Sequence, residues 1–367
     1  MNVLYDHQAF VRQRHGGVSR YFAELVRQLG GYTDTEVLIV APLHINLHIH
    51  DLDGARVSGR FVGFAPPGIS RVLDMIDRGL HDWHTRHYPP DIIHETYYSH
   101  RPVARKSHSR TVLTVYDMIH ERFPQFFVNA GSMASRKQAA LERADHIICI
   151  SETTRQDLLE LCDLDVDSVT TVHLGISVPG TPMRCTSPID RPFLLYVGGR
   201  GGYKNFARLL VAYGACTALN SEFRLVCFGG RSPSSSELNV LKSAGLSTDS
   251  LIWMNGDDAQ LAALYRHASA LVYPSLYEGF GMPTLEAMAH DCPVVCSRGG
   301  SIPEVVGEAG EFFDADDAEA MAAAIEGVVH SPSRAAELRE AGRRRLKGFS
   351  WQRCADATLD VYKSLIR

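Results

Sequence analysis

The chain has 367 residues, of which 45% are hydrophobic and 22% charged, and its formal net charge is −5. This composition is typical of a globular protein and excludes a disordered or low-complexity chain. At about 150 residues per domain, the length predicts two domains. The acidic balance excludes sequence-independent binding to nucleic acid, because that needs a basic surface to neutralise the phosphates.

The sequence also limits where the protein is expected to work. No apolar run approaches the roughly 20 residues that span a bilayer, and the first residues lack the basic and apolar regions of a secretion signal. The eight cysteines contain no CxxC pair, and most of them lie in apolar strand or helix patterns. Such cysteines are typical of buried, reduced thiols, so we expect a cytoplasmic protein.

In the first half, short apolar segments alternate with stretches of helical period. The clearest helical stripe contains Val18, Phe22, Leu25, Val26 and Leu29, which lie on one face of a helix. This alternation predicts a parallel sheet with helices on both faces. The predicted strands are 2–6, 36–41, 91–94, 111–117, 146–150 and 169–174.

The same pattern restarts after residues 178–188, a stretch with proline and glycine but no periodicity that predicts a linker. The second set of predicted strands is 193–198, 223–228, 251–254, 270–273 and 293–297, and the chain is predicted to be helical beyond Phe313. We therefore predict an α/β protein with two Rossmann-like, doubly wound parallel-sheet domains facing a cleft, where ligands bind at the carboxyl ends of the strands. The expected segments are an N-terminal domain at 1–178, a C-terminal domain at 189–349 and a final helix at 350–367.

Two glutamates stand out in the C-terminal half. A glycine-rich turn with Glu278 follows the predicted strand 270–273 and precedes a helix that contains Glu286. Backbone amides at such a helix start can bind an anion, and acids eight residues apart can reach different parts of one elongated ligand. The alternative is a helix start with acids that complement its dipole. That alternative does not explain Gly279 and Gly281, or an acid inside an apolar run.

Glu278 and Glu286 match the Glu-x7-Glu signature of retaining GT-B glycosyltransferases. The wider segment resembles family 4, also known as glycosyl transferases group 1, and its surface-polysaccharide mannosyltransferases. The resemblance extends through residues 297–307 and 349–351 and covers essentially the whole chain. It implies that the last helix crosses back to the N-terminal domain and that the donor site needs no metal.

The resemblance also implies roles for individual residues. Glu286 is expected to bind the ribose hydroxyls of a nucleotide sugar and Glu278 the hydroxyls of the donor sugar. The residues around Glu278 are expected to assist through their backbone; they are Gly279, Phe280, Gly281 and Met282.

A second glycine-rich turn, at residues 197–205, carries Arg200, Lys204 and Asn205. It is neither a Rossmann GxGxxG nor a P-loop. Close backbone approach together with Arg and Lys charges suits a diphosphate, and the alternative is a solvated basic turn. The resemblance implies that Arg200 and Lys204 bind the donor phosphates and stabilise the leaving group. Gly199 stands where the family usually has this arginine, so Arg200 lies one residue later.

Two segments of the N-terminal half complete the expected site. Gly16 and Gly17 precede the first amphipathic helix, so they form either an ordinary tight turn or an anion site facing the donor. Tyr116 and Asp117 end a predicted strand where the family often has a His-Asp pair that contacts the donor sugar. Either His120, as a catalytic residue, or the hydroxyl of Tyr116 is expected to take over that role, and all three residues are candidates for the acceptor cleft.

Other clusters have plainer explanations. Histidines at 44, 48 and 50 and at 81, 84 and 87 have spacings seen in metal sites, but solvated polar stripes explain them better. The basic run from Arg339 to Lys347 predicts a solvated helix face or a peripheral contact with anionic lipid headgroups.

The resemblance therefore implies a retaining transfer of a hexosyl unit from a nucleoside-diphosphate sugar to a hydroxyl of a glycan or lipid-linked saccharide in polysaccharide biosynthesis. The donor is expected to be GDP-mannose or a related deoxysugar nucleotide, with no cofactor and no metal. The expected location is the cytoplasm, with peripheral contact at the inner face of the membrane. Two alternatives remain: a sugar-nucleotide epimerase or phosphorylase of the same fold, and a non-catalytic nucleotide-sugar-binding protein.

Overall fold

The computed structural model describes residues 1–50, 52, 56–63, 69–102, 109–178 and 186–366. The chain divides into two compact units. Unit 1 contains Met1–Gly175 and Trp351–Arg367, and unit 2 contains Ile176–Ser350. Most of the predicted linker, at residues 179–185, lies outside the described residues, as does Cys185. Within the described ranges, the helices are all too short or too polar to cross a bilayer.

Unit 1 is built on a sheet of seven parallel strands in the order β3-β2-β1-β4-β5-β6-β7. Every residue of β4 and β6 and three of the four residues of β1 are buried, as expected for strands covered on both faces. The strands are β1 (Asn2–Tyr5), β2 (Glu36–His44), β3 (Arg56–Phe61), β4 (Ile92–Glu95), β5 (Arg110–Val115), β6 (His146–Cys149) and β7 (Val169–Thr171).

The helices of unit 1 connect these strands. The predicted amphipathic stripe lies on the second helix, where Phe22, Leu25, Val26 and Leu29 are all buried. The helices are α1 (Gln8–Arg12), α2 (Gly17–Leu29), α3 (Ile69–His87), α4 (Ile119–Arg122), α5 (Ala130–Leu141) and α6 (Glu152–Leu161).

Unit 2 has a sheet of six parallel strands in the order β10-β9-β8-β11-β12-β13. The strands are β8 (Phe193–Val197), β9 (Arg224–Phe228), β10 (Leu251–Met254), β11 (Ala270–Tyr273), β12 (Val294–Ser297) and β13 (Gly310–Phe313). The helices are α7 (Phe206–Ala215), α8 (Thr217–Glu222), α9 (Ser235–Ser243), α10 (Asp258–His267), α11 (Met282–Ala289), α12 (Ile302–Val306), α13 (Ala318–Val329) and α14 (Pro332–Leu346). The predicted α/β architecture with two doubly wound parallel sheets is thus confirmed.

The last helix, α15 (Trp351–Leu365), belongs to unit 1 and packs on α2. The hydroxyl of Tyr362 hydrogen-bonds the hydroxyl of Tyr5 at 2.8 Å and Nδ1 of His94 at 2.5 Å. Nε2 of His94 in turn hydrogen-bonds the hydroxyl of Thr114 at 2.8 Å. Burial lowers the pKa of His94 to about 3, so this histidine is neutral in the core. The final helix is therefore held in unit 1 by a buried polar chain as well as by apolar packing.

Two strands were not predicted from the sequence, β3 and β13. Each lies at an edge of its sheet. The sequence of β3 is Arg-Val-Ser-Gly-Arg-Phe and that of β13 is Gly-Glu-Phe-Phe, so neither has the continuous apolar run of a central strand. Edge strands need not be apolar on both faces, because they are only partly covered. The apolar pattern alone therefore misses them.

Candidate active site

The two glycine-rich turns of unit 2 lie at the same edge of its sheet. Strand β8 pairs with β9 on one side and with β11 on the other, so the strand order reverses between β8 and β11. In open α/β sheets, ligands bind outside the carboxyl ends of the strands at this switch point. The turn at residues 198–205 follows β8, and the turn at residues 274–281 follows β11. Both predicted donor-binding turns therefore meet at the switch point.

At this point Lys204 and Glu278 are in direct contact. Nζ of Lys204 lies 2.7 Å from Oε1 of Glu278 and 3.0 Å from Oε2. The lysine side chain is 20% exposed and the glutamate side chain 11%. The ammonium also lies over the rings of Tyr203 and Tyr273, at 5.0 and 5.9 Å from their centroids. The structure thus places one cation and one carboxylate of the expected site side by side, largely shielded from water.

The loop after β12 supports the backbone of Glu278. The amide and the hydroxyl of Ser301 both donate to the carbonyl oxygen of Glu278, each at 3.0 Å. Gly300 has φ +57°, and a Cβ atom there would lie 2.4 Å from the same carbonyl oxygen. Only glycine fits so close to the turn. This supporting role was not predicted from the sequence, although the glycine pair that follows the strand is the sequence feature that indicates it.

Helix α11 begins directly after this turn, as predicted. Gly281, at φ +93°, precedes the helix, and no side chain caps its start. Glu286 lies within the helix, and one of its carboxylate oxygens accepts a hydrogen bond from the hydroxyl of Tyr265 at 3.1 Å. The ring of Phe280 is buried against Phe349, so a ligand contact by this residue would involve its backbone, as the resemblance implies.

Arg200 has a different environment from Lys204. Its Nε donates to Glu237 at 2.7 Å, Nη1 donates to the carbonyl of Gly229 at 2.8 Å, and Nη2 donates to the carbonyl of Arg231. The guanidinium lies 4.8 Å from the ring centroid of Trp253, and the side chain is 5% exposed. Arg200 thus holds the turn after β9. Its role on the donor phosphates stays a prediction, and Lys204 is the cation beside Glu278.

Asn205 connects the two turns of the switch point. Its φ is +56°, which is uncommon for a residue other than glycine. Its side-chain amide donates to the carbonyls of Pro274, at 3.2 Å, and Ala315, at 2.7 Å. Asn205 therefore positions the loop of Lys204 against the loop of Glu278.

In unit 1, the glycine pair lies at the start of α2 as expected. The side chain of Gln13 fills the space beside Gly16, and its Oε1 accepts from the amide of Ser19 at 3.1 Å. One orphan donor of this helix start is thus already satisfied within the protein. Gly17 has no other atom within 4 Å of where a Cβ would be, so its surroundings are open.

The three candidate site residues after β5 have different contacts. The hydroxyl of Tyr116 is buried and donates to the carbonyl of Thr96 at 2.8 Å. A carboxylate oxygen of Asp117 accepts from the amide of Ile119 at 3.1 Å. The ring of His120 lies 4.2 Å from that of Phe127, and burial lowers its pKa. A hydroxyl that donates one hydrogen bond can still accept others, so the structure selects neither Tyr116 nor His120 for the role of the family's histidine. Both roles stay predictions.

The remaining clusters find partners inside their own units. His44 and His81 are buried, so the interpretation as solvated stripes is wrong for these two histidines, and His44 Nδ1 contacts the carbonyl of Asn46 at 3.2 Å. Arg345 donates to the carbonyl of Val305 at 2.9 Å, and Arg343 pairs with Asp291 at 2.8 Å. In the part of the chain that the structure describes, no three His, Cys, Asp or Glu side chains are grouped to hold a metal ion.

Comparisons with known proteins identify the family. The model described as Glycosyltransferase Family 4 matches residues 15–178, and the model described as Glycosyl transferases group 1 matches residues 185–345. Together they span most of both units.

Individual relatives agree with this result. O-antigen chain mannosyltransferase B of Escherichia coli is 28% identical over 372 residues, which cover 95% of this chain and 96% of the relative. MMP alpha-(1->4)-mannosyltransferase of Mycolicibacterium hassiacum is 42% identical over 113 residues, which cover 30% of this chain and 28% of that relative. The structure of sucrose-phosphate synthase from Thermosynechococcus elongatus has the same fold, with a TM-score of 0.78 at 20% identity and with 100% of this chain and 99% of that chain covered. The chain therefore belongs to glycosyltransferase family 4 and is a glycosyltransferase with the GT-B fold.

Proposed function

We propose that the protein transfers a hexosyl unit from a nucleoside-diphosphate sugar to a hydroxyl of a glycan or lipid-linked saccharide in polysaccharide biosynthesis, with retention of the anomeric configuration. The two relatives reported above are named as mannosyltransferases, one of them for an O-antigen chain. These names support a mannosyl donor, and we propose GDP-mannose or a related deoxysugar nucleotide. We propose that the reaction takes place in the cytoplasm and that no metal is required.

The contact between Lys204 and Glu278 carries this proposal. Breaking the anomeric C–O bond leaves growing negative charge on the diphosphate, and a positioned cation stabilises that charge in the transition state. Lys204 is the residue proposed to do so, and Glu278 is proposed to accept hydrogen bonds from the sugar hydroxyls. Both side chains are largely shielded from water. Electrostatic interactions are stronger in such a shielded place than on an open surface.

Retention is proposed to follow from attack on the same face of the sugar that the diphosphate leaves. Glycosidases that retain configuration usually use a carboxylate nucleophile. Both carboxylate oxygens of Glu278 accept hydrogen bonds from the ammonium of Lys204. This arrangement suits a role in positioning the sugar and the charge better than a role as the nucleophile. The leaving phosphate is therefore proposed to take the proton of the acceptor hydroxyl.

The donor is identified first by a thermal-shift screen against GDP, UDP and dTDP, in which GDP is expected to raise the melting temperature most. The transfer reaction is then followed by NMR, which reports the anomeric configuration of the transferred sugar in the product. Substitution Glu278→Ala is expected to abolish transfer while the far-ultraviolet circular dichroism stays unchanged. Inverted product would refute retention, and full activity of the variant would refute the role of Glu278.

The two alternatives make different predictions. An epimerase of this fold would isomerise the donor without any acceptor, and a phosphorylase would transfer a glycosyl unit from a glycan to added inorganic phosphate. A non-catalytic protein would bind the nucleotide without turnover. Incubation with donor alone, and separately with a glycan and inorganic phosphate, separates these outcomes from the slow donor hydrolysis that a transferase shows. The family assignment and the names of the relatives favour the transferase.

A further inference from the structure

Unit 1 contains a large polar cavity that the proposed roles do not use. Its volume is about 610 Å³. It is lined by residues from three helices and from the loop after β4, among them Arg12, Asp74, Arg78, Tyr98, Arg101 and Arg136. We call this cavity the arginine pocket.

The arginine pocket lies at the switch point of the unit 1 sheet. Strand β1 pairs with both β2 and β4, so the strand order reverses between β1 and β4. Arg12 is in the helix that follows β1, and Tyr98 and Arg101 follow β4. Asp6 joins the two turns, because its Oδ1 accepts from the amides of Gln8, at 3.0 Å, and Thr96, at 3.2 Å. This is the place where a doubly wound sheet binds its ligand.

Positive charge in the pocket is only partly neutralised. Among the residues that the structure describes, the lining contains four arginines and a single acidic residue, Asp74. Arg78 donates two hydrogen bonds to Oδ2 of this carboxylate, from Nε at 3.1 Å and from Nη2 at 3.0 Å. Arg12 lies 3.9 Å from the other oxygen, and its own Nε is buried with no hydrogen-bond partner. An unsatisfied buried donor costs free energy, so Asp74 alone does not satisfy this guanidinium group.

The electrostatics of Arg12 agree with this geometry. Burial lowers its pKa, Asp74 and Tyr97 raise it, and the nearby charges of Arg136 and Arg78 lower it again. The guanidinium also lies 5.3 Å from the ring centroid of Tyr97. Arg12 is therefore a half-buried cation crowded by like charges, which an oxyanion with several acceptor atoms would relieve.

We propose that the arginine pocket binds a phosphoryl group carried by the acceptor. This inference rests on the proposed function, since it names the chemical class of the molecule that receives the sugar. Planar guanidinium groups bind phosphate oxygens in pairs, and four of them around one cavity match a phosphate or diphosphate better than a neutral sugar. The acceptor is thus a phosphorylated saccharide.

The surface beside the pocket indicates what the phosphoryl group is attached to. Met75 lines the pocket and is 69% exposed. On the same helix, Val72, Ile76, Leu80 and Trp83 are 40–56% exposed and share the outward face, which we call the apolar face of α3. Exposed apolar surface next to an anion site fits a ligand with a phosphoryl head and a hydrocarbon chain. We assign the apolar face to the chain of a lipid-linked acceptor.

Calorimetric titration of the full chain tests the pocket. The probes are geranyl diphosphate, which has both a head and a chain, inorganic pyrophosphate, which has only the head, and geraniol, which has only the chain. The double variant Arg101→Gln/Arg136→Gln is expected to bind geranyl diphosphate at least about tenfold more weakly, because charge-assisted hydrogen bonds are lost. Arg27→Gln is the control: it removes an exposed arginine of unit 1 that pairs with Glu24 at 2.5 Å and does not line the pocket.

The apolar face is tested by the double variant Val72→Ser/Ile76→Ser. This variant is expected to bind geranyl diphosphate about tenfold more weakly and to bind pyrophosphate with unchanged affinity, because only the burial of the hydrocarbon chain is lost. Equal wild-type affinities for pyrophosphate and geranyl diphosphate would overturn the lipid assignment and indicate a water-soluble sugar phosphate. Geraniol is expected not to bind measurably.

Pyrophosphate also resembles the leaving group of the donor, so the site of binding must be established. Lys204→Gln is expected to leave the affinity for geranyl diphosphate unchanged, because Lys204 is not among the residues that line the arginine pocket. Loss of binding in that variant, or unchanged binding in Arg101→Gln/Arg136→Gln, would overturn the assignment to the arginine pocket. These readouts do not depend on turnover, whereas failure of the proposed function would appear as absence of transfer from every nucleotide sugar.

Discussion

Lys204 and Glu278 are 74 positions apart in the sequence, yet the ammonium of one contacts both carboxylate oxygens of the other, at 2.7 and 3.0 Å. The two residues follow neighbouring strands of a parallel sheet, whose carboxyl ends lie at one edge. A donor with a diphosphate and a sugar offers each residue a new partner of the right polarity. The pair is therefore preorganised in the absence of the donor.

Substitution Lys204→Gln is expected to lower kcat by about two to three orders of magnitude, because positioned stabilisation of a developing negative charge is lost. Steady-state kinetics with the donor identified by the nucleotide screen measure this effect. Lys242→Gln, which changes an exposed lysine on α9, is the control and is expected to retain wild-type activity. Equal kcat values for the two variants would contradict the role of Lys204.

Arg200→Ala is expected to affect stability more than chemistry. The change removes an ion pair with Glu237, two hydrogen bonds to carbonyls and the contact with Trp253. Loss of a largely buried hydrogen-bonded charge is worth about 3 kcal/mol of unfolding free energy. Urea denaturation measures the loss, and kcat measured well below the transition is expected to fall less than in Lys204→Gln. A stable variant with an equally low kcat would instead support a direct role on the phosphates.

Gly300→Ala is expected to reduce transfer by displacing the backbone of Glu278. Its Cβ would lie 2.4 Å from the carbonyl oxygen of Glu278 and 2.7 Å from its amide nitrogen. Gly245→Ala is a matched control, because Gly245 also has a positive φ, of +72°, but has no atom within 4 Å of the added Cβ. Both variants carry similar backbone strain, of about 1–2 kcal/mol. Only Gly300→Ala should therefore weaken donor binding and kcat, and equal losses in both would contradict this support role.

The stability of unit 1 is expected to fall in acid through His94. Burial lowers its pKa to about 3, whereas an unfolded histidine titrates near 6.5. Below pH 6.5 the unfolded chain takes up a proton that the folded protein excludes, so stability present at neutral pH decreases until about pH 3. This contribution amounts to about 1.4 kcal/mol per pH unit within that window.

Denaturant unfolding of the wild type and of His94→Gln between pH 7 and pH 5 measures this contribution. The variant is expected to be less stable at pH 7, because the bonds to Tyr362 and Thr114 are altered. Its stability is also expected to depend less steeply on pH. Parallel slopes for the two proteins would show that another group controls the acid sensitivity.

The apolar patterns were sufficient to predict both sheets, because central parallel strands are buried on both faces and need uninterrupted runs such as that of β8. The same reasoning misses the edge strands β3 and β13, although it predicts the opposite edge strands β7 and β10. It also predicts that Glu278 and Lys204 belong to turns at strand ends, because glycine-rich sequence directly follows each strand. It cannot tell which of Arg200 and Lys204 approaches Glu278, since the two cations lie on the same loop.

The sequence by itself therefore determined the fold class, the two sheets and the chemical types available at each strand end, because these depend on local periodicity and on turn residues. Tertiary structure alone decided that Lys204 pairs with Glu278 and that Arg200 turns toward Glu237 and Trp253. It also decided that four arginines from separate elements line one pocket. The physical reason is that side chains pair with the groups nearest to them at the sheet edge of the folded protein. No local sequence pattern relates the residues that meet there.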